Sequence, residues 1–436
     1  MSTEHLTDIP EGYKMTELGL LPEEWEVVRL GDVVKLRKET INPSEGNSLK
    51  YVGLEHLESG TLIIKKHGNP SEVKSTKYRY YPNDLLYGKL RPYLDKAALA
   101  EEEGMCSTDI LVFQTEKKIN SYFFGSYLHL PSFIKYSVST MTGVNHPRTS
   151  WNALKKYQIP LPPFPEQRAI AHVLQTVQDA KEKIEGVIQA AKELKKSLLK
   201  YLFSYGPVPV EDAEKVPLKK TEVGLIPEEW QVVRLGEVAE RPTYGLTTTA
   251  TSSLTPYKLL RISDIQDGRI NWENVPFCEF DEPPKEKYIL KKNDIVIARI
   301  GATTGKAIQY KKGPITLFAS YLIRIRTKQP LESNFLINFF CTDFYWKQIN
   351  EQKGGRLKKG VNIPIINNLL ITLPSLHIQQ RIADILSTVD ERIESAENKK
   401  HALETLFKTL LSRLMSGKIR VNRSHGLVNE VEYEKG

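Results

Sequence analysis

Apolar residues recur every three or four positions through the last part of the chain, at Leu386, Val389, Ile393, Ala396, Leu403, Phe407, Leu410 and Leu414, with Lys400 the polar interruption. This spacing lines one face of an α-helix, and about four heptads of it mark a coiled-coil seam. The same register runs through Leu174, Val177, Ile184, Ala191, Leu198, Leu202 and Tyr205, with Lys181, Ile188 and Lys195 at the alternate places. Each stretch opens at a proline, Pro165 or Pro374, and ends at Gly206 or Gly417. An apolar stripe needs a partner, so the two helices are expected to pair antiparallel; packing of each on its own globular domain is the alternative. A helix of forty residues is about 60 Å long, so such a pair would hold two domains apart at a fixed spacing.

Elsewhere the apolar runs are short and bounded by turn residues, as strands are. "LIIKK", "DLLYGKL" and "DILVFQ" fall before the first helix; "YKLLRI", "DIVIARI" and "LIRIR" fall before the second. "SYFFGSYLHL" and "NFLINFFCTDFYWKQI" read as buried aromatic helices.

The two halves are copies. Residues 16–33 and 221–238 agree at fourteen of eighteen positions, and "LPPFPEQRAIAHVLQTV" (161–177) returns as "LPSLHIQQRIADILSTV" (373–389). Between these anchors, "NDLLYGKLRPYLDKA" (83–97) sets beside "NDIVIARIGATTGKA" (293–307), and Gly143-Val144-Asn145 beside Gly360-Val361-Asn362. The period is far longer than that of a solenoid. It predicts an α/β protein: two homologous globular α/β domains, 14–160 and 221–372, separated by two long antiparallel coiled-coil helices, 161–205 and 373–417. Residues 206–220 form a linker and 418–436 a C-terminal tail.

A chain of 436 residues exceeds what one core supports, which agrees with two domains. With 40% hydrophobic and 26% charged residues it has the make-up of a folded protein. No apolar stretch approaches a membrane span and no leader pattern opens the chain, so a cytoplasmic protein is expected. Cys106, Cys278 and Cys341 are too scattered for a zinc site or a disulfide framework and read as buried free thiols. The formal charge of +8 permits polyanion binding without requiring it.

No catalytic constellation is visible. "IGATTGK" (300–306) lacks the first glycine and the hydroxyl residue of a phosphate loop, and the histidines form no metal-spaced cluster. Neither an amino-methyltransferase signature nor a glycine-rich loop for a methyl donor is found. The basic loops say more. Lys89 and Arg91 lie in "YGKLRPY"; Arg299, Thr303 and Lys306 lie at the matching place in the second copy. "GVNHPRTS" carries Asn145 and Arg148, and "QKGGRLKKG" carries Arg356, Lys358 and Lys359. Cations and amides beside flexible glycine suit phosphates and base edges, arginine reading guanine and asparagine adenine. Trp25 and Trp230 read as the start of a buried strand rather than as base-stacking platforms.

The doubled order, "GLLPEEWEVVRLGDV", variable domain, "LPPFPEQRAIAHVL", long helix, then the series again from "GLIPEEWQVVRLGEV" through "LPSLHIQQRIADIL", resembles the specificity (S) subunits of type I restriction-modification enzymes over nearly the whole chain. The resemblance implies two target recognition domains that each read one half of an interrupted, asymmetric sequence of double-stranded DNA. It implies helices that space them and dock two modification subunits, with restriction subunits joining the complex. It also implies a chain that holds no cofactor itself, S-adenosylmethionine, ATP and magnesium belonging to the partner subunits. "HIQQR" departs from the first copy's Pro-Glu-Gln at Ile378, opposite Glu166, so the second helix start is expected to contact its partner differently. On the residues alone a stand-alone DNA methyltransferase, which would bind S-adenosylmethionine by itself, and a coiled-coil scaffold without sequence preference stay open. Charge alone also leaves room for RNA.

Overall fold

The strand-like runs are hydrophobic at successive positions, and the reason is a sheet covered on both faces. The structure, a computed structural model, describes residues 9–46, 48–266, 268–279, 284–353, 360–422 and 426–428. It divides into two compact units, Met1–Glu185 with Lys399–Gly436, and Gly186–Asn398. In the first unit strands Val34–Arg37, Ile110–Thr115, Leu85–Gly88 and Ala97–Leu99 form an antiparallel sheet in that order. Leu85 and Tyr87 face the unit's main core while Leu86 faces a second, smaller one. In the second unit strands Thr243–Tyr244, Leu322–Ile325, Ile295–Ala298 and Ala307–Gln309 repeat the arrangement. There Ile295 and Ile297 face the main core, and Val296 and Ala298 the smaller one. Side chains alternate between faces along a strand, so burial on both sides demands an unbroken apolar run.

Each unit carries a second sheet built on a parallel pair: Lys50–Val52 beside Gly104–Cys106, and Lys258–Leu260 beside Thr316–Phe318. "LIIKK", expected as a strand, is irregular. The long aromatic run breaks into helices Ser333–Phe339 and Asp343–Lys353, where the Thr342 hydroxyl accepts from the Tyr345 amide at 3.4 Å and starts a new helix. Cys106 and Cys278 are buried as expected, but Cys341 is exposed, because it stands at that break.

The twice-written motifs pair with each other. In the first unit Glu26–Arg29, just after Trp25, runs antiparallel to Gln158–Leu161, just before the long helix; in the second, Gln231–Arg234 pairs with Leu370–Leu373. Trp25 and Trp230 are buried beneath these ribbons. A glutamine then fixes each helix start. Gln167 accepts from the Asn120 amide at 2.8 Å and donates to the carbonyls of Pro162 and Lys118 at 2.9 and 3.0 Å. Gln379 accepts from the Glu332 amide at 2.9 Å and donates to Pro374 and Pro330, both at 2.9 Å.

The long helices span Phe164–Tyr205 and Leu376–Met415. Within the first unit they run antiparallel: Lys181 lies over the Phe407 ring at 5.1 Å and Glu185 meets Lys400 at 2.9 Å. Within the second, Lys192 meets Glu397 at 2.9 Å and Lys195 meets Asp390 at 2.6 Å. The lysines interrupting the seam therefore have partners across it. The two readings of the helices combine: Ile170 and Leu174 enter the first unit's core with Leu410 and Leu414, and Leu202 and Phe203 enter the second unit's core with Ile382 and Leu386.

The linker region holds a short 3-10 segment, Val210–Lys215, and strand Leu218–Thr221, which pairs with Gly224–Pro227. Residues expected as a tail contribute strand Arg420–Asn422, paired with Gly426–Val428. Arg420 clasps Glu166 at 2.6 and 2.9 Å, and the same carboxylate accepts from the Trp25 indole at 3.0 Å. Ile378, at the matching place, packs against the second unit's core instead.

Candidate nucleic-acid interface

In the first unit two loops meet at the exit of strand Leu85–Gly88. The Lys89 amide donates to the Asp109 carbonyl at 3.0 Å, and the Lys89 carbonyl accepts from Thr149 at 3.1 Å. Arg91, at φ 51°, is left-handed and exposed, and its amide donates to the Pro147 carbonyl at 2.9 Å. Residues 142–148 close on themselves through reciprocal bonds between Thr142 and Arg148 of 2.9 and 3.0 Å, leaving Asn145 exposed at the tip. The Arg148 guanidinium holds the Asp109 carboxylate at 2.8 and 3.3 Å and the His146 carbonyl at 3.2 Å. The hydrogen bond to Asp109 raises the Arg148 pKa above its ordinary value. Lys89, Arg91, Asn145 and Arg148 thus share two joined loops.

The second unit builds the same junction with other side chains. The Arg299 amide donates to the Tyr321 carbonyl at 3.0 Å and its carbonyl accepts from Val361 at 2.8 Å. Its guanidinium lies over the Tyr244 ring at 4.7 Å and reaches the Ser320 carbonyl at 3.4 Å, so this side chain is turned inward. Glycines 301 and 305, at φ 83° and 92°, shape the turn that follows. Lys306 is exposed, and Thr303 lines a cleft of about 700 Å³ with Thr247, Ser263, Ser320, Tyr321 and Arg261. The turn leads into strand Ala307–Gln309, not into the helix that a phosphate loop requires. Arg356, Lys358 and Lys359 lie outside the described residues.

The junction corrects one alignment. Leu90 bridges Arg148 as Ile300 bridges Gly360, and Ser150 and Asn362 each cap the following helix. Gly360 therefore matches Arg148, and Asn362 matches Ser150; the Gly-Val-Asn strings coincide by chance, since Asn145 is a loop tip and Asn362 a helix cap. Arg261, Tyr321 and Asp109 were not singled out from the sequence. Only Arg261 left a local sign, its spacing of three residues from Asp264 in "RISD".

A doubled α/β domain, in which the strand exit at Lys89 or Arg299 is bridged by the same main-chain pattern in each copy, defines a protein built from two related but unlike units. Among the described residues there is no His, Cys, Asp and Glu grouping able to hold a metal, and no helix long and apolar enough to cross a membrane. The chain belongs to the type I restriction modification DNA specificity domain family, whose model matches residues 22–193 and again 227–405. It is 28% identical over 413 residues to the specificity subunit of the type I restriction enzyme MjaVIII of Methanocaldococcus jannaschii, covering 92% of this chain and 94% of that one. It is 23% identical over 409 residues to the EcoBI specificity subunit of Escherichia coli, with 87% and 84% covered. In fold it is similar to the S subunit of a type I restriction-modification system from M. genitalium, with a TM-score of 0.59 at 14% identity over 89% of this chain and 96% of the other.

Proposed function

We propose that this chain is the DNA sequence-recognition subunit of a type I restriction-modification complex, each recognition domain reading one half of an interrupted, asymmetric double-stranded target. The observation that carries the reading is the equivalent main-chain bridge, Leu90 with Arg148 and Ile300 with Gly360, beside a cation-bearing strand exit in both units of a chain matched twice by a DNA-specificity family. Lys89, Arg91, Asn145 and Arg148 would serve one half-site. Thr303 and Lys306, with Arg356, Lys358 and Lys359, would serve the other, the inward-turned Arg299 supporting the junction. Loops of this kind suit the major groove, phosphate contacts supplying affinity and base contacts supplying choice.

On this reading the chain is itself non-catalytic and binds no cofactor. The helices set the gap between half-sites and dock two modification subunits that bring S-adenosylmethionine; restriction subunits bring ATP and magnesium. Methylome sequencing of cells with and without the gene tests it. One bipartite methylated motif should vanish when the gene is removed. An unchanged methylome, or S-adenosylmethionine bound by the isolated chain, would contradict it.

A further inference from the structure

The two repeats act as internal controls for each other. Their main-chain bonds make Arg148 of the first equivalent to Gly360 of the second. A second match runs the other way. The parallel-pair strands Lys50–Val52 and Lys258–Leu260 each lead into a three-residue 3-10 turn, Leu54–His56 and Ile262–Asp264. Gly53 and Arg261 cap those turns and are therefore equivalent. In the first repeat His56 Nδ1 accepts from the Gly53 amide at 2.8 Å; in the second the Asp264 carboxylate accepts from the Arg261 amide at 2.8 Å. So where one repeat has arginine the other has glycine, at two places, reciprocally.

Both arginines are held in the same way. Arg261 gives Nε and one Nη2 proton to Asp264 at 3.0 and 2.7 Å; Arg148 gives the same edge to Asp109 at 2.8 and 3.3 Å. The guanidinium has five N–H donors in a fixed plane. With the Nε edge occupied, Arg261 keeps an Nη1/Nη2 edge with one N–H on each nitrogen; in Arg148, Nη1 also gives one proton to the His146 carbonyl at 3.2 Å, which leaves one N–H on each Nη, and both side chains are about 40% exposed. Such a pre-aimed fork fits two adjacent acceptors, as the O6 and N7 of guanine present them in the major groove. The fold needs neither fork, since the turn closes with Gly53 and the loop bridges with Gly360. Each fork is also neutralised by its carboxylate, so it adds little to long-range attraction of a polyanion.

Resting on the DNA-reading function above, we infer that Arg148 and Arg261 are the base-reading forks of the first and second repeats, each taking a guanine edge, with Asp109 and Asp264 as positioning residues. The forks rise from different loops. Where the first repeat has Asp109 the second has Tyr321, both accepting at the carbonyl from the matching amide of Lys89 or Arg299. Tyr321 there lines the cleft that Arg261 borders. Unlike half-sites follow from one fold because the reading arginine has moved.

The test is selection from a duplex library randomised in two blocks, using the full chain with any modification subunits that co-purify. Arg148→Gly and Arg261→Gly place at each site the residue the other repeat already uses there, and Arg261→Lys keeps the charge without the fork. Wild type should select a bipartite motif with guanine in both halves. Arg261→Gly should lose guanine preference at one position of one half by roughly 5- to 150-fold, with the other half and the salt slope unchanged. Arg148→Gly should do the same in the opposite half. Arg261→Lys should not restore choice, because an ammonium makes no bidentate pair. If the variants select the wild-type motif and merely bind every sequence more weakly, the inference is overturned and the DNA-reading function survives. If wild type selects no motif, both fall.

Discussion

Replacing Gln167 by leucine should unfasten the first helix from its domain, and replacing Gln379 should do the same in the second. Each side chain is buried, and each closes three hydrogen bonds to main chain 5 to 49 residues away. Leucine of similar size leaves little cavity, so the cost is that of stranded polar groups. One carbonyl, Pro162 or Pro374, loses a bond that is fully buried; the amide of Asn120 or Glu332 and a further carbonyl lose bonds that are partly buried. At about 1–3 kcal/mol for a fully buried group, with the other two discounted for water access, the loss comes to about 2–4 kcal/mol per unit. Hydrogen exchange should register it locally, as protection of the Asn120 or Glu332 amide falling by roughly 30- to 700-fold. Urea unfolding followed at both units gives the same quantity independently. Glutamate should be worse than leucine, since it turns a second oxygen towards two carbonyls. A loss below about 1 kcal/mol in either unit, or a large loss in one and none in the other, would refute the claim that the repeated glutamine does one job twice.

Deleting one heptad between Val177 and Leu198, with its facing heptad in the second helix, shortens the pair by about 10 Å; the preferred gap between half-sites should change or binding should be lost, and an unchanged gap in a selected motif would contradict the spacing role. Replacing Arg356, Lys358 and Lys359 with alanine should weaken DNA binding and lower the salt slope by about one for each phosphate no longer neutralised, measured by titration at several salt concentrations. Burial pushes the Cys278 thiol from 9.0 up to about 11, so the folded state keeps a proton that the unfolded chain releases. That contribution is complete below about pH 9 and is lost as pH rises towards 11; the urea midpoint should fall between about pH 9 and 11, and by less in Cys278→Ala.

The parts of the fold that could be read in advance are those whose physical cause repeats along the chain. Four heptads of stripe foretold both long helices, and the lysines that spoiled the stripe became intelligible once Glu185, Asp390 and Phe407 were seen across it. Strands Leu85–Gly88 and Ile295–Ala298 were legible because both faces are buried. Strands such as Thr40–Ile41 and Ala250–Thr251 are two residues long, less than any period can mark. The interface was legible only as loose loops. Lys89 and Thr149 lie sixty residues apart in sequence, yet a main-chain bond joins them, and no residue type announces such a bond. Gly143-Val144-Asn145 misled because three matching letters outweighed the helix cap at Ser150, which is a property of position.

The same distinction explains which residues the two copies keep. Gln167 and Gln379 are identical because their side chains satisfy main-chain groups, so a change there costs folding energy in either unit. At Arg148 and Gly360 the bridge that holds the loop uses only main-chain atoms, and at Gly53 and Arg261 the turn is closed by the residue three places on. Neither arginine side chain is required for that closure, since glycine achieves it in the other repeat. A repeat under two constraints, to fold alike and to read differently, can therefore diverge where the backbone alone carries the fold, and this is where arginine and glycine have changed places.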